Sequence, residues 1–214
     1  LLAEISTLPY TETFSTSFIV GNDIDFIPSW FGNEISIDER IYQTSNKELG
    51  MIATTDFSPE ITASLNLQNY KNVALTFKAK SLPNEDVERS STLYIATSID
   101  GGNLWYTQRA IEVFENQTTS FKEYKYNLPG ITSGNTRPKV RFQLVKENGD
   151  GKSPIVIIDD VKFFEEASDI FAPEVDSVFI NTSKQIRVYF NDKVTASSAE
   201  NLSNYQGLPN LASA

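Results

Sequence analysis

Short segments in which apolar and polar residues alternate, each closed by a turn, recur along most of the chain. They constrain its fold more than any other feature. LGMIATT (Leu49 to Thr55), NVALTFKAKS (Asn72 to Ser81), STLYIATSI (Ser91 to Ile99), FKEYKYNL (Phe121 to Leu128) and KVRFQLVKE (Lys139 to Glu147) all read this way. In NVALTFKAKS, Val73, Leu75, Phe77 and Ala79 share one face while Lys78 and Lys80 share the other, which describes a half-buried strand. In KVRFQLVKE, Val140, Phe142 and Leu144 face in and Arg141 and Gln143 face out. Turn signals separate the segments: Leu82-Pro83-Asn84, Asp100-Gly101-Gly102-Asn103, Leu128-Pro129-Gly130 and Asn148-Gly149-Asp150-Gly151. Many short strands with spaced turns and no long amphipathic helix predict an all-β fold, an antiparallel β-sandwich or jelly roll. Between Phe14 and Gly50 the pattern loosens and reads as long loops with one or two short strands.

PIVIIDDVKFFEE (Pro154 to Glu166) reads as the closing strand of that domain. Ser168, Asp169, Ala172 and Pro173 follow, and alternation restarts with VDSVFI (Val175 to Ile180), a turn at Asn181-Thr182-Ser183, and QIRVYF (Gln185 to Phe190). SSAENLSNY (Ser197 to Tyr205) suggests a short helical turn capped by Ser197 or Ser198. The organisation predicted is a β-domain over residues 1–167, a linker over 168–173 and an incomplete β-unit over 174–214, too short to close a core of its own.

Composition removes several kinds of chemistry. With no Cys and no His, the chain holds no thiolate or imidazole nucleophile, catalytic base or zinc ligand, so a metal here would be a hard ion held by oxygen. A net charge of −10 with no continuous basic face argues against nucleic acid as a partner. There is no apolar run of about 18 residues, so no membrane insertion is expected. LLAEISTLPY has neither the basic start nor the apolar stretch of a signal peptide. The high content of Phe and Tyr beside a single Met favours β-structure.

Asp159 and Asp160 stand together inside the apolar closing strand. Burying a carboxylate is costly, so the pair calls for a cation, a strong set of hydrogen-bond donors, or exposure at a sheet edge. Strict alternation puts Asp159 on the face of Val161 and Phe163 and Asp160 with Lys162, which makes Asp159 the more buried. It also sends the two carboxylates to opposite faces, so they do not flank one glycosidic bond, and no catalytic residue is expected.

The order of LPYTETF (Leu8 to Phe14), IPSW (Ile27 to Trp30), Ser98-Ile99-Asp100 with Trp105, and IDDVKF (Ile158 to Phe163) resembles the bacterial cleaved-adhesin and choice-of-anchor modules, and the MAM-like and carbohydrate-binding jelly rolls. The resemblance implies a structural calcium ion shared by the first and last strands. Carried over, its ligands are Glu12 with Asp159 or Asp160, with further oxygens from Asp23, Asp25, Asp38 or Asp56. SIDGGNLW (Ser98 to Trp105) resembles an Asp-box, here a hairpin stabiliser rather than a catalytic element. APEVDSVFI, RVYFNDKV and SAENLSNY resemble the opening of a bacterial Ig-like domain, a spacer between modules.

The candidate ligand-binding aromatics are Trp105, Tyr106 and Tyr42, with Trp30 and Phe31 also near loops, because a flat ring complements the apolar face of a sugar. Trp30, close behind Pro28, reads more as a core plug. The function expected is a non-catalytic, monomeric module of a larger secreted or cell-surface bacterial protein. It would bind a polysaccharide, or a cell-surface glycan or protein in adhesion. The alternatives are a spacer or anchoring module without a ligand and, further off, a polysaccharide-degrading enzyme.

Overall fold

The computed structural model describes residues 3–84, 89–128, 131, 137–147, 153–166, 175–182, 185–190, 194–199 and 201. The turn residues Pro129-Gly130, Asn148 to Gly151 and Ser183, the linker from Ser168 to Pro173, and the chain beyond Asn201 lie outside the described residues. The chain divides into two compact units, Leu1–Ala167 and Ser168–Ala214.

The first unit is built from twelve strands: β1 (Tyr10–Glu12), β2 (Gly21–Ile27), β3 (Trp30–Ile35), β4 (Ile41–Gln43), β5 (Leu49–Ile52), β6 (Glu60–Ser64), β7 (Val73–Leu82), β8 (Ser91–Ser98), β9 (Tyr106–Phe114), β10 (Lys122–Asn127), β11 (Lys139–Lys146) and β12 (Ile155–Glu165). Hydrogen bonding runs β10-β7-β12-β5-β4-β3-β6-β11-β8-β9, with β1 on β12 and β2 on β3. From β5 onward the chain alternates between two layers, β5-β12-β7-β10 and β6-β11-β8-β9, crossing between them at nearly every connection. That is the jelly-roll order, all antiparallel. A parallel pair of β3 and β4, Ile35 with Ile41, joins the layers at one side.

The core lies between the layers, where inward side chains from both form one buried cluster. Phe77 of β7 meets Phe142 of β11 edge-on at 5.2 Å, and Trp30 of β3 lies 6.3 Å from Phe163 of β12. Trp30 is wholly buried and plugs one end of this core. Its Nε1 donates to Tyr10 Oη (3.2 Å), and that hydroxyl donates to Glu12 Oε2 (2.8 Å), so the plug's one polar atom is satisfied by the first strand.

The stretch from Phe14 to Gly50 is more regular than expected, carrying β2, β3 and β4. Its alternation is hidden by Asp23 and Asp25, which lie in β2 rather than in a loop, and by left-handed turns at Ser29 (φ 69°) and Arg40 (φ 62°). In the second unit, β13 (Val175–Thr182) pairs antiparallel with β14 (Gln185–Phe190), and α1 (Ala196–Ala199) follows. Thr195 precedes that turn and its carbonyl accepts Ala199 N–H (2.9 Å), so Thr195 rather than Ser197 or Ser198 opens it. Among the described residues no helix is long and apolar enough to cross a membrane.

Candidate functional site

The outer face of the β6-β11-β8-β9 layer gathers side chains that lie far apart in sequence. Phe31, Thr62, Arg141 and Ala96 are register partners along one row from β3 to β8, and Glu60, Gln143, Tyr94 and Ala110 along the next. Alternation puts them outward because their neighbours Trp30, Ile61, Phe142 and Ile95 fill the core. Phe31 and Tyr94 are half-buried. Arg141 Nη1 and Gln143 Nε2 both reach Glu60 Oε2 (3.4 Å each), and Asn33 Oδ1 accepts Glu60 N–H (3.0 Å).

Trp105 completes this face, and the turn before it explains how. Ser98 Oγ donates to Asp100 Oδ1 (2.8 Å) and accepts Gly102 N–H (2.9 Å), while Asp100 Oδ1 accepts Leu104 N–H (3.0 Å). Gly101 and Gly102 take left-handed φ values of 81° and 96°, which side chains resist. The Leu104 N–H and the Ser98 hydroxyl hold the Asp100 carboxyl below the usual range. The indole that this turn presents is half-buried and lies over the Arg141 guanidinium, 4.3 Å from ring centre to Cζ. To reach Arg141 from the start of β9 the ring passes β8, where the residue opposite Arg141 is the small Ala96.

The other two aromatics do not join it on what is described. Tyr106 opens β9 with its backbone opposite Thr97, and its side chain lies outside the described residues. Tyr42, in β4, belongs to the other layer. Its ring lies on Gly50 so closely that a Cβ there would come within 2.7 Å of it, and burial, then Asp38, raises its hydroxyl pKa.

The acidic residues are also arranged differently from the expectation. Val156 and Ile158 reach the core, and so do Val161 and Phe163, which requires an extra residue between them. The register shifts between Asp159 and Lys162, with Asp160 left-handed at φ 50°. This bulge turns Asp159 away from the core and sets it opposite Lys78, whose Nζ contacts Asp160 Oδ2 at 2.7 Å. Strict alternation therefore fails here: Asp159 does not share the face of Val161 and Phe163, and both carboxylates lie beside Lys78.

Burial, chiefly, raises the Asp159 pKa, and its Oδ1 is buried without a hydrogen-bond partner. Glu12 stands opposite the core residue Val161, its two oxygens taken by Tyr10 Oη and by Phe14 N–H (2.7 Å). The bulge thus directs Asp159 and Glu12 to opposite sides of the sheet. Among the described residues no three acidic, Cys or His side chains form a metal-binding group.

No family model matches the chain, and no curated protein matches it. Among solved structures, it is similar to the Clostridium thermocellum N-terminal endo-1,4-β-D-xylanase 10B CBM22-1–GH10 modules complexed with xylohexaose, with a TM-score of 0.44 and 12% identity, covering 80% of this chain and 30% of that one. It is also similar to a xylan-binding domain from CBM 22 (TM-score 0.42, 13% identity, 75% of this chain and 96% of that one). A third is the family 11 carbohydrate-binding module from Clostridium thermocellum in complex with a β-1,3-1,4-mixed-linked tetrasaccharide (TM-score 0.38, 16% identity, 67% and 93%). Likeness at this level leaves the ligand of the present chain to be read from its own side chains.

Sequence reasoning named Trp105 and Phe31 among its candidate aromatics and did not name Arg141, Gln143, Glu60 or Tyr94 as site residues. Arg141 and Gln143 were legible as outward residues of one strand, but Glu60, Phe31 and Tyr94 join them only through strand pairing.

Proposed function

We propose that the chain is a non-catalytic carbohydrate-binding module of a larger secreted or cell-surface protein, holding a glycan on the outer face of the β6-β11-β8-β9 layer. The observation that carries this reading is Trp105, a half-buried indole fixed by its turn and braced on Arg141, beside Glu60, Gln143 and Tyr94. A rigid aromatic face suits the apolar face of a pyranose, and guanidinium, amide and carboxylate groups suit its hydroxyls. Affinity electrophoresis through gels carrying plant, algal and bacterial polysaccharides tests it. Retardation of the chain by at least one polymer, lost in Trp105→Ala, supports the reading, and unchanged mobility across the panel rejects it.

Calcium belongs to the proposal in a narrowed form. Asp159 Oδ1, buried and unpartnered, suits a cation, whereas Glu12 is already satisfied by its own strand. In the same part of the sheet, the Phe14 and Thr16 carbonyls both accept from Gln43 Nε2, at 2.5 and 2.9 Å. Such backbone oxygens are the kind calcium takes up. The hairpin of β13 and β14 supports a second proposal, that the residues after 173 begin an Ig-like spacer.

A further inference from the structure

Lys139 stands two residues before Arg141 on β11, on the same outward face, and the glycan-binding reading gives it no task. A Cβ built on Gly102 would lie 3.5 Å from Trp105 Cζ2, 3.6 Å from Lys139 Cδ and 3.8 Å from Lys139 Nζ, so the lysine and the indole border one spot above the turn. Lys139 is half-buried, and among the described residues its ammonium makes no ion pair or side-chain hydrogen bond. Lys78, Lys80, Lys122 and Lys125, by contrast, each hold a carboxylate. In a chain with 28 acidic residues against 18 basic ones, a partner for a lysine is easily supplied. Asp100, close in sequence to Gly102, has its Oδ1 engaged by Ser98 and Leu104 instead. Arg141 Nε is likewise buried without a partner. Lys139, half-buried and unpaired, therefore borders the proposed sugar platform beside Arg141, which keeps Glu60, and a partly desolvated cation favours an anionic partner.

We propose that the glycan carries an anionic group, the carboxylate of a uronic acid or a sulfate ester, seated against Lys139 while its ring lies on Trp105. This rests on the glycan-binding reading above and specifies its ligand class. The unpaired ammonium of Lys139, rather than the net charge of the chain, sets the preference, because a contact of this kind acts over a few ångströms.

The test compares polymers that differ only in charge: polygalacturonate with its methyl ester, and a sulfated galactan with the unsulfated one. Each is titrated against the full chain, Lys139→Gln and Trp105→Ala, with thermal melts confirming that the variants fold. The expected result is that at least one charged polymer binds about tenfold tighter than its neutral counterpart, and that Lys139→Gln removes this preference. The arm that shows it distinguishes carboxylate from sulfate. Equal binding of charged and neutral polymers, or a preference that survives Lys139→Gln, overturns the inference. If neutral polymers bind through Trp105 without any charge preference, the glycan-binding reading stands alone. If nothing binds, both fall.

Discussion

Arg141, 36 residues from Trp105 in sequence, sets its guanidinium carbon over the Trp105 ring across strand β8, 4.3 Å from the indole centre. The contact joins the turn at Ser98 to Leu104 to strand β11 of the outer face. It also fixes the ring plane, so little side-chain entropy remains to be lost when a ligand settles on it. Trp105→Ala is expected to abolish retention by a polysaccharide while the chain still folds; the lost cation–π contact costs about 0.5–1 kcal/mol, and the lost burial of the half-buried indole adds to it. Binding measurements beside a urea melt separate the two effects.

The turn before Trp105 carries its own expectation. Asp100→Asn weakens the acceptor of Leu104 N–H and is expected to destabilise the chain at neutral pH. Because the folded carboxyl sits below its ordinary value, its contribution is present above the unfolded pKa and lost as pH falls through the folded one. The difference between variant and parent should therefore shrink below about pH 4, as thermal melts across pH would show.

How much of this was legible in the sequence varies by element. Lys78 and Lys80 against Val73, Leu75, Phe77 and Ala79 placed β7 correctly, because a strand covered on one face must alternate. The extra residue at Asp159 and Asp160 was not legible, since Ile-Ile-Asp-Asp-Val-Lys contains no glycine or proline to mark a bulge. Tyr42 looked like a partner for Trp105 because both are aromatic and near turns, and only the strand order shows that β4 and β9 belong to different layers. Glu60 and Arg141 are brought together by β6 and β11 pairing across 81 residues, which no local pattern encodes.

Asp159 offers a test of the metal proposal in either direction. Without calcium, a carboxylate whose pKa is raised by burial disfavours the folded state once ionised, at pH above its folded value. In chelator at pH 7, Asp159→Asn is expected to melt at or above the parent, by up to about 2–4 °C for each kcal/mol of relief. Millimolar calcium should raise the melting temperature of the parent and leave that of Asp159→Asn unmoved. A calcium effect of equal size in both excludes Asp159 as a ligand.

Gly50 is constrained by the Tyr42 ring rather than by its own backbone angles. Gly50→Ala is expected to cost about 1–3 kcal/mol through overpacking, and much less in a Tyr42→Ala background. A double-mutant cycle by urea unfolding measures that coupling. A cost independent of Tyr42 would place the strain elsewhere in β5.

Tyr10→Phe isolates the polar link at the core plug. It leaves Trp30 Nε1 without its acceptor and Glu12 without one donor, so a loss of about 1–3 kcal/mol is expected, against about 3–5 kcal/mol for Trp30→Ala. Chemical denaturation of the two variants tests the ranking.

The chain's two tryptophans permit the most direct test of the central claim, because Trp30 is wholly buried and Trp105 stands on the proposed face. Intrinsic fluorescence should be followed while the chain is titrated with a polysaccharide that retards it in affinity gels, alongside Trp105→Phe. The expected result is a saturable change in emission from the parent, with the midpoint of the binding curve, that is absent from the variant. Binding that leaves the parent's emission unchanged, or a change that persists undiminished in Trp105→Phe, would place the ligand away from this face and contradict the account.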